Sequence, residues 1–335
     1  MLVGGAVTGT YPLSMVFVRN SVFEENSAAE SAAAIQVGAF AYIDNCTFKK
    51  NHANLGGAIR AYVTSNLMFS DAGSSFISNT ASKWGGAIQL IFINTSVNNL
   101  YFENNIAEEG AGGAIHGLCE DNPFIYGGQY ILHLVNCTFI SNKALKYGWA
   151  GAVAYGIDDD RATLCLDGCT FMSNSANYGG AIYSFGTLQC IGAPTSFFEN
   201  EAYSYYDDED EINIAGFGGA IMHFGEFDFD TGVSFLGNKV SGYGHGGAIA
   251  VVGTTRPKSL IENAFFSQNI CEGAGGGAIY TVHDLVVANC IFIRNYAVGK
   301  KEVQFGPDKD IDLAGGTIYC RDENVSISLI KKTIS

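Results

Sequence analysis

Proline, tryptophan and basic residues are scarce in this chain. Its 335 residues include 5 Pro, 2 Trp and 18 Lys+Arg. Because phosphate binding needs clustered Lys and Arg, this shortage argues against nucleic acid as a partner and against binding to an anionic membrane surface. No apolar run approaches the roughly 18 residues of a spanning helix, and residues 1–7 lack the basic and apolar regions of a secretory signal. We therefore expect no direct membrane insertion.

Glycine, apolar residues and acids are abundant instead. The chain has 42 Gly, a hydrophobic fraction of 47% and 33 Asp+Glu, with a formal net charge of −15. This apolar content is sufficient for a folded core, so global disorder is excluded. The glycines show no three-residue period, which excludes a collagen triple helix.

Two short motifs alternate along the chain. The first, Phe-x-x-Asn, begins at Phe23, Phe48, Phe76, Phe102, Phe139, Phe171, Phe197, Phe235, Phe266 and Phe292. The second, Gly-Gly-Ala-Ile or a variant of it, begins at Gly4, Ala32, Gly56, Gly85, Gly112, Ala150, Gly179, Gly218, Gly246, Gly276 and Gly315. This alternation predicts a repeat fold with a unit of about 25 residues that carries loop insertions.

The segment before each motif Phe alternates in polarity, as in Asp-Asn-Cys-Thr-Phe at residues 44–48. A period of two is typical of strands, and a Gly pair in every unit disfavours helices. A unit this short cannot bury its own apolar face, so the units must stack. We predict an all-β fold, a right-handed, single-stranded parallel β-helix (solenoid) of about ten coils with loop insertions.

Each motif residue has a predicted role in such a fold. The phenylalanines should stack as an interior column with a spacing of about 4.8 Å. The Asn should adopt a left-handed turn conformation and bond the local backbone and its stacked neighbour. The glycines should supply positive φ at the next corner and let two backbones approach closely, and the Ile should return to the core.

The pairing of the two motifs resembles the repeats of the chlamydial polymorphic outer-membrane proteins, and similar repeats occur in large surface proteins of some protists. The resemblance extends from Gly4 to Ile318. It implies an extracellular or cell-surface location and a role in adhesion, with a protein or a glycan on a cell surface as partner.

We expect residues 1–335 to form one β-helix domain with repeats from 4 to 318. The motif region begins within a unit and has no polar cap, so we expect a segment of a longer solenoid, or copies that meet end to end. Four sequons, which arise easily in an Asn-rich repeat, are candidate glycosylation sites: Asn45, Asn94, Asn136 and Asn324.

Nine cysteines, an odd number, leave at least one unpaired within the chain. In-register stacking would bring Cys137 near Cys169 and Cys165 near Cys190, within disulfide distance. The alternative is a ladder of buried free thiols, because such stacking often directs the Cβ atoms poorly. No Cys-x-x-Cys zinc pattern is present.

The residue before each Gly pair forms a row that contains both tryptophans. Its members are Leu55, Trp84, Ala111, Trp149, Tyr178, Phe217, His245, Gly275 and Ala314. In a β-helix this corner row runs along one edge, which would make Trp149, Tyr178, Phe217 and His245 contiguous. If exposed, these rings and Trp84 are a binding surface for a sugar or a protein. The alternative is that the rings fold over the corner and cover the glycines.

Acidic residues concentrate in the insertions. The densest run includes Asp207, Asp208 and Asp210, which are weak candidates for Ca²⁺ ligands because oxygen-rich loops can bind that ion. No EF-hand pattern is present, and the alternative is a solvated loop. We predict no other metal site and no cofactor.

Three functions are compatible with a β-helix. The near-uniform repeat favours a non-enzymatic adhesin or interaction surface, and a structural segment of a surface filament or appendage is the second function. A polysaccharide lyase or hydrolase is the third. That chemistry needs carboxylates, or a base beside basic residues, at fixed positions on one strand face, whereas the acids lie in loops and the Arg and His residues are scattered. We therefore predict no catalytic residue.

Overall fold

The structure, a computed structural model, describes residues 6–9, 15–38, 40–62, 66–91, 94–118, 130–157, 160–207, 212–252, 259–273, 275–299, 316–321 and 327–330. All regular secondary structure in these ranges is β-strand, and the strands of three long sheets pair in parallel from one coil to the next. The parallel β-helix predicted from the sequence is confirmed.

The largest sheet contains seventeen strands, and in each coil its first strand begins after the Gly pair. They are β1 (Val7–Gly9), β4 (Ile35–Val37), β8 (Ile59–Ala61), β12 (Ile88–Ile91), β13 (Thr95–Asn98), β16 (Ile115–Leu118), β17 (Tyr130–Val135), β20 (Val153–Tyr155), β21 (Ala162–Asp167), β24 (Ile182–Cys190), β30 (Ile221–Phe229), β34 (Ile249–Val251), β35 (Ser259–Glu262), β38 (Ile279–Thr281), β39 (Leu285–Ala288), β42 (Ile318–Cys320) and β43 (Ile327–Ile330).

A ten-stranded sheet carries the motif phenylalanines. It consists of β3 (Val22–Glu24), β6 (Thr47–Lys49), β10 (Ser74–Ile77), β14 (Leu100–Glu103), β18 (Thr138–Ile140), β22 (Thr170–Met172), β25 (Thr195–Phe198), β31 (Val233–Leu236), β36 (Ala264–Ser267) and β40 (Ile291–Ile293). A nine-stranded sheet follows the motif Asn residues: β7 (His52–Leu55), β11 (Thr80–Trp84), β15 (Ile106–Ala107), β19 (Lys143–Ala144), β23 (Ser175–Ala176), β26 (Glu201–Tyr203), β32 (Lys239–Ser241), β37 (Ile270–Cys271) and β41 (Tyr296–Ala297).

Three small sheets complete the described structure. The strands β2 (Met15–Arg19), β5 (Phe40–Asp44) and β9 (Asn66–Phe69) pair in parallel, as do β29 (Gly216–Phe217) and β33 (Gly244–His245). The acidic insertion forms an antiparallel pair between β27 (Tyr205–Asp207) and β28 (Ile212–Ile214).

The ten motif phenylalanines form one continuous interior column. Neighbouring ring centroids are 4.7 to 5.0 Å apart, and the planes of neighbouring rings differ by 11° or less. The eight rings from Phe48 to Phe266 are fully buried. The predicted spacing is therefore confirmed, and the aromatic column fixes the register of the coils against the aliphatic residues of the opposite sheet.

The motif asparagines form a buried ladder that uses their hydrogen-bonding capacity completely. Asn105 Oδ1 accepts from the backbone N–H and the Nδ2 of Asn79, at 3.0 Å each. Asn105 Nδ2 donates to Asn142 Oδ1 and to Phe76 O, at 2.9 Å each. The same four bonds recur at every ladder position from Asn51 to Asn269. A side-chain amide has two donors and two acceptor positions, so none is left without a partner.

The predicted left-handed conformation of the ladder asparagines is wrong by one position. The residue before each Asn is the left-handed one, as at Lys50 (φ 52°), Ser141 (φ 53°) and Arg294 (φ 52°). The turn directs the following Asn inward, where its backbone N–H also joins the ladder. The polar x residue, and not the Asn, therefore carries the strained backbone geometry.

The Gly pair performs the two predicted tasks at separate positions. The first glycine has a positive φ, such as 67° at Gly112. At the second position the backbones of neighbouring coils are in contact, because a Cβ on Gly113 would contact Gly151 O and lie 2.6 Å from both N and O of Lys143. Only glycine fits this position without a shift of the backbone.

Replacement of Gly113 by alanine is expected to lower the free energy of unfolding by about 1–3 kcal/mol, because the added methyl group forces two coils apart. Gly316→Ala is the matched control: it stands at the same motif position, but among the described residues no atom lies within 4 Å of the point that its Cβ would occupy. That variant should stay within about 0.5 kcal/mol of the parent protein in urea unfolding. Equal effects at the two positions would contradict the role of close packing.

Candidate functional site

The corner row predicted from the sequence is formed as a continuous line. Backbone pairings join Leu55 to Trp84, and they join in succession Ala111, Trp149, Tyr178, Phe217, His245 and Gly275. Ala314 lies outside the described residues. The expected contiguity of Trp149, Tyr178, Phe217 and His245 over four coils is therefore present in the structure.

The residue after each motif Ile or Val forms a second line beside the corner row, which we call the outer column. Its members pair in register and are Gln36, Arg60, Gln89, His116, Ala154, Tyr183, Met222, Ala250, Tyr280 and Tyr319. Because side chains alternate along a strand and the neighbouring Ile faces the core, the outer column faces away from it.

The corner rings lean over the outer column of the next coil. The centroids of Trp84 and His116 are 5.4 Å apart, with ring planes within 16° of parallel. Trp149 stacks on Tyr183 at 5.4 Å. The rings thus fold over the corner, yet Trp84 remains 37% exposed, and Trp149 is half-buried. They stack on outer-column side chains, and the Trp84 indole also lies against Gly110.

A second apolar layer lies on this outer face and was not predicted. We call it the outer aromatic cluster; it consists of Trp149, Tyr178, Phe217, Tyr183, Phe185, Met222 and Phe224, packed around Ala111, Ala150 and Ala154. Phe185 and Phe224 stack face to face with centroids 4.4 Å apart, and Tyr183 meets Phe224 edge-on at 5.5 Å. Its sequence signal is an aromatic residue three positions after the motif Ile in two successive coils.

The cluster continues at His245, whose ring makes two aromatic contacts and is uncharged at pH 7. His245 stacks on Tyr280 at 4.4 Å and tilts against Phe217 at 5.2 Å. Burial, with a smaller contribution from the Arg321 charge, lowers the pKa of His245 to about 4, and burial alone lowers the pKa of His116 to about 3. Both rings are therefore neutral at pH 7, on a protein whose formal net charge is −15.

An exposed apolar patch on the three-stranded sheet was also missed. Met15 is 63% exposed, Phe17 is 61% exposed and Met68 is 44% exposed. The Phe17 centroid lies 5.6 Å from that of Phe40 and 6.4 Å from that of Tyr42. These residues lie outside both motifs, so the repeat pattern gave no signal for them.

The register contradicts the predicted disulfide between Cys165 and Cys190. Cys165 pairs with Gln189, and Cys190 pairs with Leu166, so the alternation of the strand places the two sulfurs on opposite faces of the sheet. Cys165 Sγ instead contacts Gln189 Oε1 at 3.3 Å. Cys165 lies six residues before its motif Phe and Cys190 seven before its own, and this difference of one residue moves the two side chains to opposite faces.

Cys137 and Cys169 do stack in register, directly before the paired strands β18 and β22. Both are free, buried thiols, and each donates to the backbone of a preceding coil: Cys137 to Val97 O at 3.2 Å and Cys169 to Leu134 O at 3.3 Å. Burial raises the pKa of Cys137, which disfavours its reactive thiolate. A disulfide between them stays a prediction, and the thiol ladder describes the reduced protein.

The candidate glycosylation sites follow from the repeat. Asn45 and Asn136 are exposed and have φ of 48° and 50°, at the corner three residues before the motif Phe. Because Asn tolerates this left-handed geometry, the fold itself favours Asn there. Asn94 is also exposed, and its Oδ1 accepts from the Ile131 N–H at 2.7 Å. Asn324 lies outside the described residues.

The candidate calcium ligands cannot be placed. Asp208 and Asp210 lie outside the described residues, and Asp207 is described only as the last residue of β27. Within the described ranges no group of three His, Cys, Asp or Glu side chains is arranged to hold a metal ion. The calcium site stays a prediction.

One buried pair has the residue types of a catalytic dyad. His223 Nδ1 lies 3.0 Å from Ser184 Oγ, and its Nε2 lies 3.1 Å from the backbone oxygen of Glu226. Burial lowers the His223 pKa to about 4, although hydrogen bonds to the backbone oxygens of Glu226 and Ser184 oppose this change. Both side chains are fully buried, and a backbone carbonyl stands where a catalytic triad has its carboxylate, so the pair is part of the packing.

A family model, described as "Chlamydia polymorphic membrane protein (Chlamydia_PMP) repeat", matches residues 45–62, 73–90, 99–118 and 168–184. Each matched segment contains a Phe-x-x-Asn motif, a Gly-Gly-Ala-Ile motif or both. These four segments of the chain are therefore similar to the polymorphic membrane protein repeat. The resemblance drawn from the two motifs is therefore confirmed.

Three relatives of the repeats are outer-membrane or autotransporter proteins by name. "Probable outer membrane protein PmpG" of Chlamydia muridarum is 32% identical over 235 residues, which cover 62% of this chain and 22% of the relative. "Probable outer membrane protein pmp6" of Chlamydia pneumoniae is 28% identical over 229 residues, which cover 66% of this chain and 14% of the relative. "Probable autotransporter YfaL" of Escherichia coli K12 is 26% identical over 300 residues, which cover 81% of this chain and 21% of the relative. No solved structure matches the chain.

The chain thus spans about a fifth or less of the length of these relatives. Their names confirm the predicted extracellular or cell-surface location, and none of the three names describes an enzyme. The described residues contain no helix that is long and apolar enough to cross a membrane.

Proposed function

We propose that this β-helix is an adhesive module of a cell-surface protein and that the outer aromatic cluster is its contact surface. The observation that supports the proposal is the line of half-buried rings over four successive coils, Trp149, Tyr178, Phe217 and His245. An apolar patch of this kind that stays partly exposed is typical of an interaction site.

The cluster has the physical properties of a binding platform. Its rings are held by a parallel sheet and by ring contacts of 4.4 to 6.1 Å, so little side-chain entropy is lost on binding. Tyr178 and His245 add polar groups at the rim, which suits a protein or a glycan on another cell surface. The half-buried His245 is uncharged at pH 7, so contact requires no desolvation of a charge there.

Cell binding by the purified chain tests this proposal. Tyr178→Ser combined with Phe217→Ser should reduce the binding of fluorescently labelled protein to cultured animal cells at least tenfold, because two central rings are removed. Tyr296→Ser is the matched control, since Tyr296 is 54% exposed and lies on the nine-stranded sheet, away from the cluster. Circular dichroism and urea unfolding establish that each variant is folded.

Unchanged cell binding by the folded double variant would overturn the proposal. Equal loss in the Tyr296→Ser variant would also overturn it, because binding would then not depend on this surface.

A further inference from the structure

The outer column changes character along the molecule. In four successive coils it carries polar side chains, Gln36, Arg60, Gln89 and His116, and in the next four it carries Ala154, Tyr183, Met222 and Ala250. All these residues occupy the same register position and face the same side. The repeat therefore does not require a polar residue there, and the four polar residues need another explanation.

Gln89 is the residue of this polar stretch whose burial destabilises the fold most. Its side chain is 0% exposed, and among the described residues neither its Nε2 nor its Oε1 has a hydrogen-bond partner. In the same part of the chain, Arg60 Nε on one side and His116 Nδ1 on the other are also buried without a partner. A buried polar group without a partner lowers the stability of the fold, so an apolar residue such as those of the later coils would give a more stable protein.

By contrast, the neighbouring Gln36 is satisfied. Its Oε1 accepts from Ser31 Oγ at 3.4 Å, and its Nε2 donates to Tyr62 OH at 3.3 Å. Among the described residues, the outer-column atoms of this stretch that lack a partner are Arg60 Nε, both polar side-chain atoms of Gln89 and His116 Nδ1, in three adjacent coils. The Arg60 side chain also has a hydrogen bond to Tyr62. Together Arg60, Gln89 and His116 offer several donors and at least one acceptor along a line, with neighbouring strands about 4.8 Å apart.

Aromatic rings border the unpartnered groups. Trp84 covers His116 at 5.4 Å and is 37% exposed, and the Arg60 guanidinium lies 4.8 Å from the centre of the Tyr62 ring. The register of strand β11 shifts between Ala81 and Trp84, so the backbone that carries Trp84 departs from the regular ladder. An indole at an irregular strand end can turn outward with less disruption than one within a regular strand.

We propose that Arg60, Gln89 and His116 bind a saccharide, and that Trp84 turns outward to admit it and stacks on the sugar ring. Adjacent sugar hydroxyls both donate and accept, which matches the amide of Gln89, and an aromatic face complements the apolar face of a pyranose. A purely anionic ligand fits less well, because Arg60 is the one cation among these three residues and Glu30 acts on it electrostatically. This site is separate from the outer aromatic cluster.

The fluorescence of Trp84 tests the proposal. The chain has 2 Trp, so Trp149→Phe leaves Trp84 as the sole indole reporter. This protein is titrated with galactose, N-acetylglucosamine, glucuronic acid and N-acetylneuraminic acid, each up to its solubility limit. We expect at least one sugar to shift the emission with a saturating curve, in the millimolar range typical of single sugars on shallow sites.

Two further substitutions are each introduced into the Trp149→Phe protein. Gln89→Met should weaken sugar binding at least tenfold while it raises or preserves thermal stability, since the buried amide is removed. Gln189→Met is the matched control, because Gln189 faces outward on the same sheet but bonds Asp228 at 3.1 Å. It should leave sugar binding unchanged.

Absence of any emission change with all four sugars would overturn the proposal, as would undiminished binding by Gln89→Met. If Gln89→Met fails to fold, Arg60→Met replaces it with the same expected loss. Cell binding through the outer aromatic cluster does not involve these residues, so the two proposals can fail independently.

Discussion

Acidification from pH 7 to pH 5 is expected to remove about 5 kcal/mol from the free energy of unfolding, because two buried histidines, His116 and His223, and the half-buried His245 must stay neutral in the fold. Burial is the first cause of the lowered pKa at each: about 3 for His116, about 4 for His223 and about 4 for His245, against an ordinary value of 6.5. Each therefore contributes about 2 kcal/mol to the change.

The sign follows from which state takes up protons first. Because the pKa of each histidine is lower in the folded protein, the unfolded chain gains protons below pH 6.5 while the folded protein does not. The contribution of these histidines to the free energy of unfolding is therefore fully present above that value. It is lost progressively as the pH falls to the folded pKa values near 3 and 4. A loss of about 5 kcal/mol is comparable with the entire stability of many domains.

Urea unfolding at the two pH values measures this effect. His116→Tyr should reduce the pH dependence by about 2 kcal/mol, and the new ring would stack under Trp84 as Tyr183 stacks under Trp149. His52→Gln is the control, because His52 is exposed. Equal unfolding free energies at both pH values would refute the prediction.

Replacement of Asn142 by leucine is expected to cost about 5 kcal/mol, because it breaks a ladder in which every amide group is used. The N–H and Nδ2 of Asn105 lose their acceptor, and Phe102 O loses its donor. These three groups are buried and cannot turn to solvent. Each costs about 1–3 kcal/mol when it is left without a partner.

The first ladder residue supplies the control. Asn26 is half-buried and only donates to Asn51, so Asn26→Leu orphans fewer groups and should cost less than about 1.5 kcal/mol. Similar costs for Asn142→Leu and Asn26→Leu in urea unfolding would show that the ladder is not the source of stability.

The repeated features of the fold were predictable from the sequence because they depend on period alone. A Phe every coil predicts a stack, and a Gly pair every coil predicts a tight corner with backbone contact. The left-handed residue was misplaced by one position because Asn is the commonest non-glycine residue in that geometry, yet here the amide was needed inside the ladder.

The outer features were less predictable because they lie at positions without a motif. Phe185 and Phe224 stand out only when the strands are aligned, and the unpartnered amide of Gln89 is visible only when its neighbours are known. The Cys165–Cys190 prediction was wrong because loop lengths differ by one residue between coils, which reverses the face of a strand.

The asparagine ladder also gives the solenoid a direction. At each step of the ladder, from the pair Asn26–Asn51 to the pair Asn269–Asn295, the Asn of the earlier coil donates one Nδ2–H to the Oδ1 of the Asn in the later coil. A coil of any origin that docks before Asn26 must therefore present donors to its Oδ1, whereas one that docks after Asn295 must present an acceptor. Two such surfaces are complementary in a parallel, head-to-tail arrangement and mismatched head to head, so the amides distinguish one assembly polarity from the other.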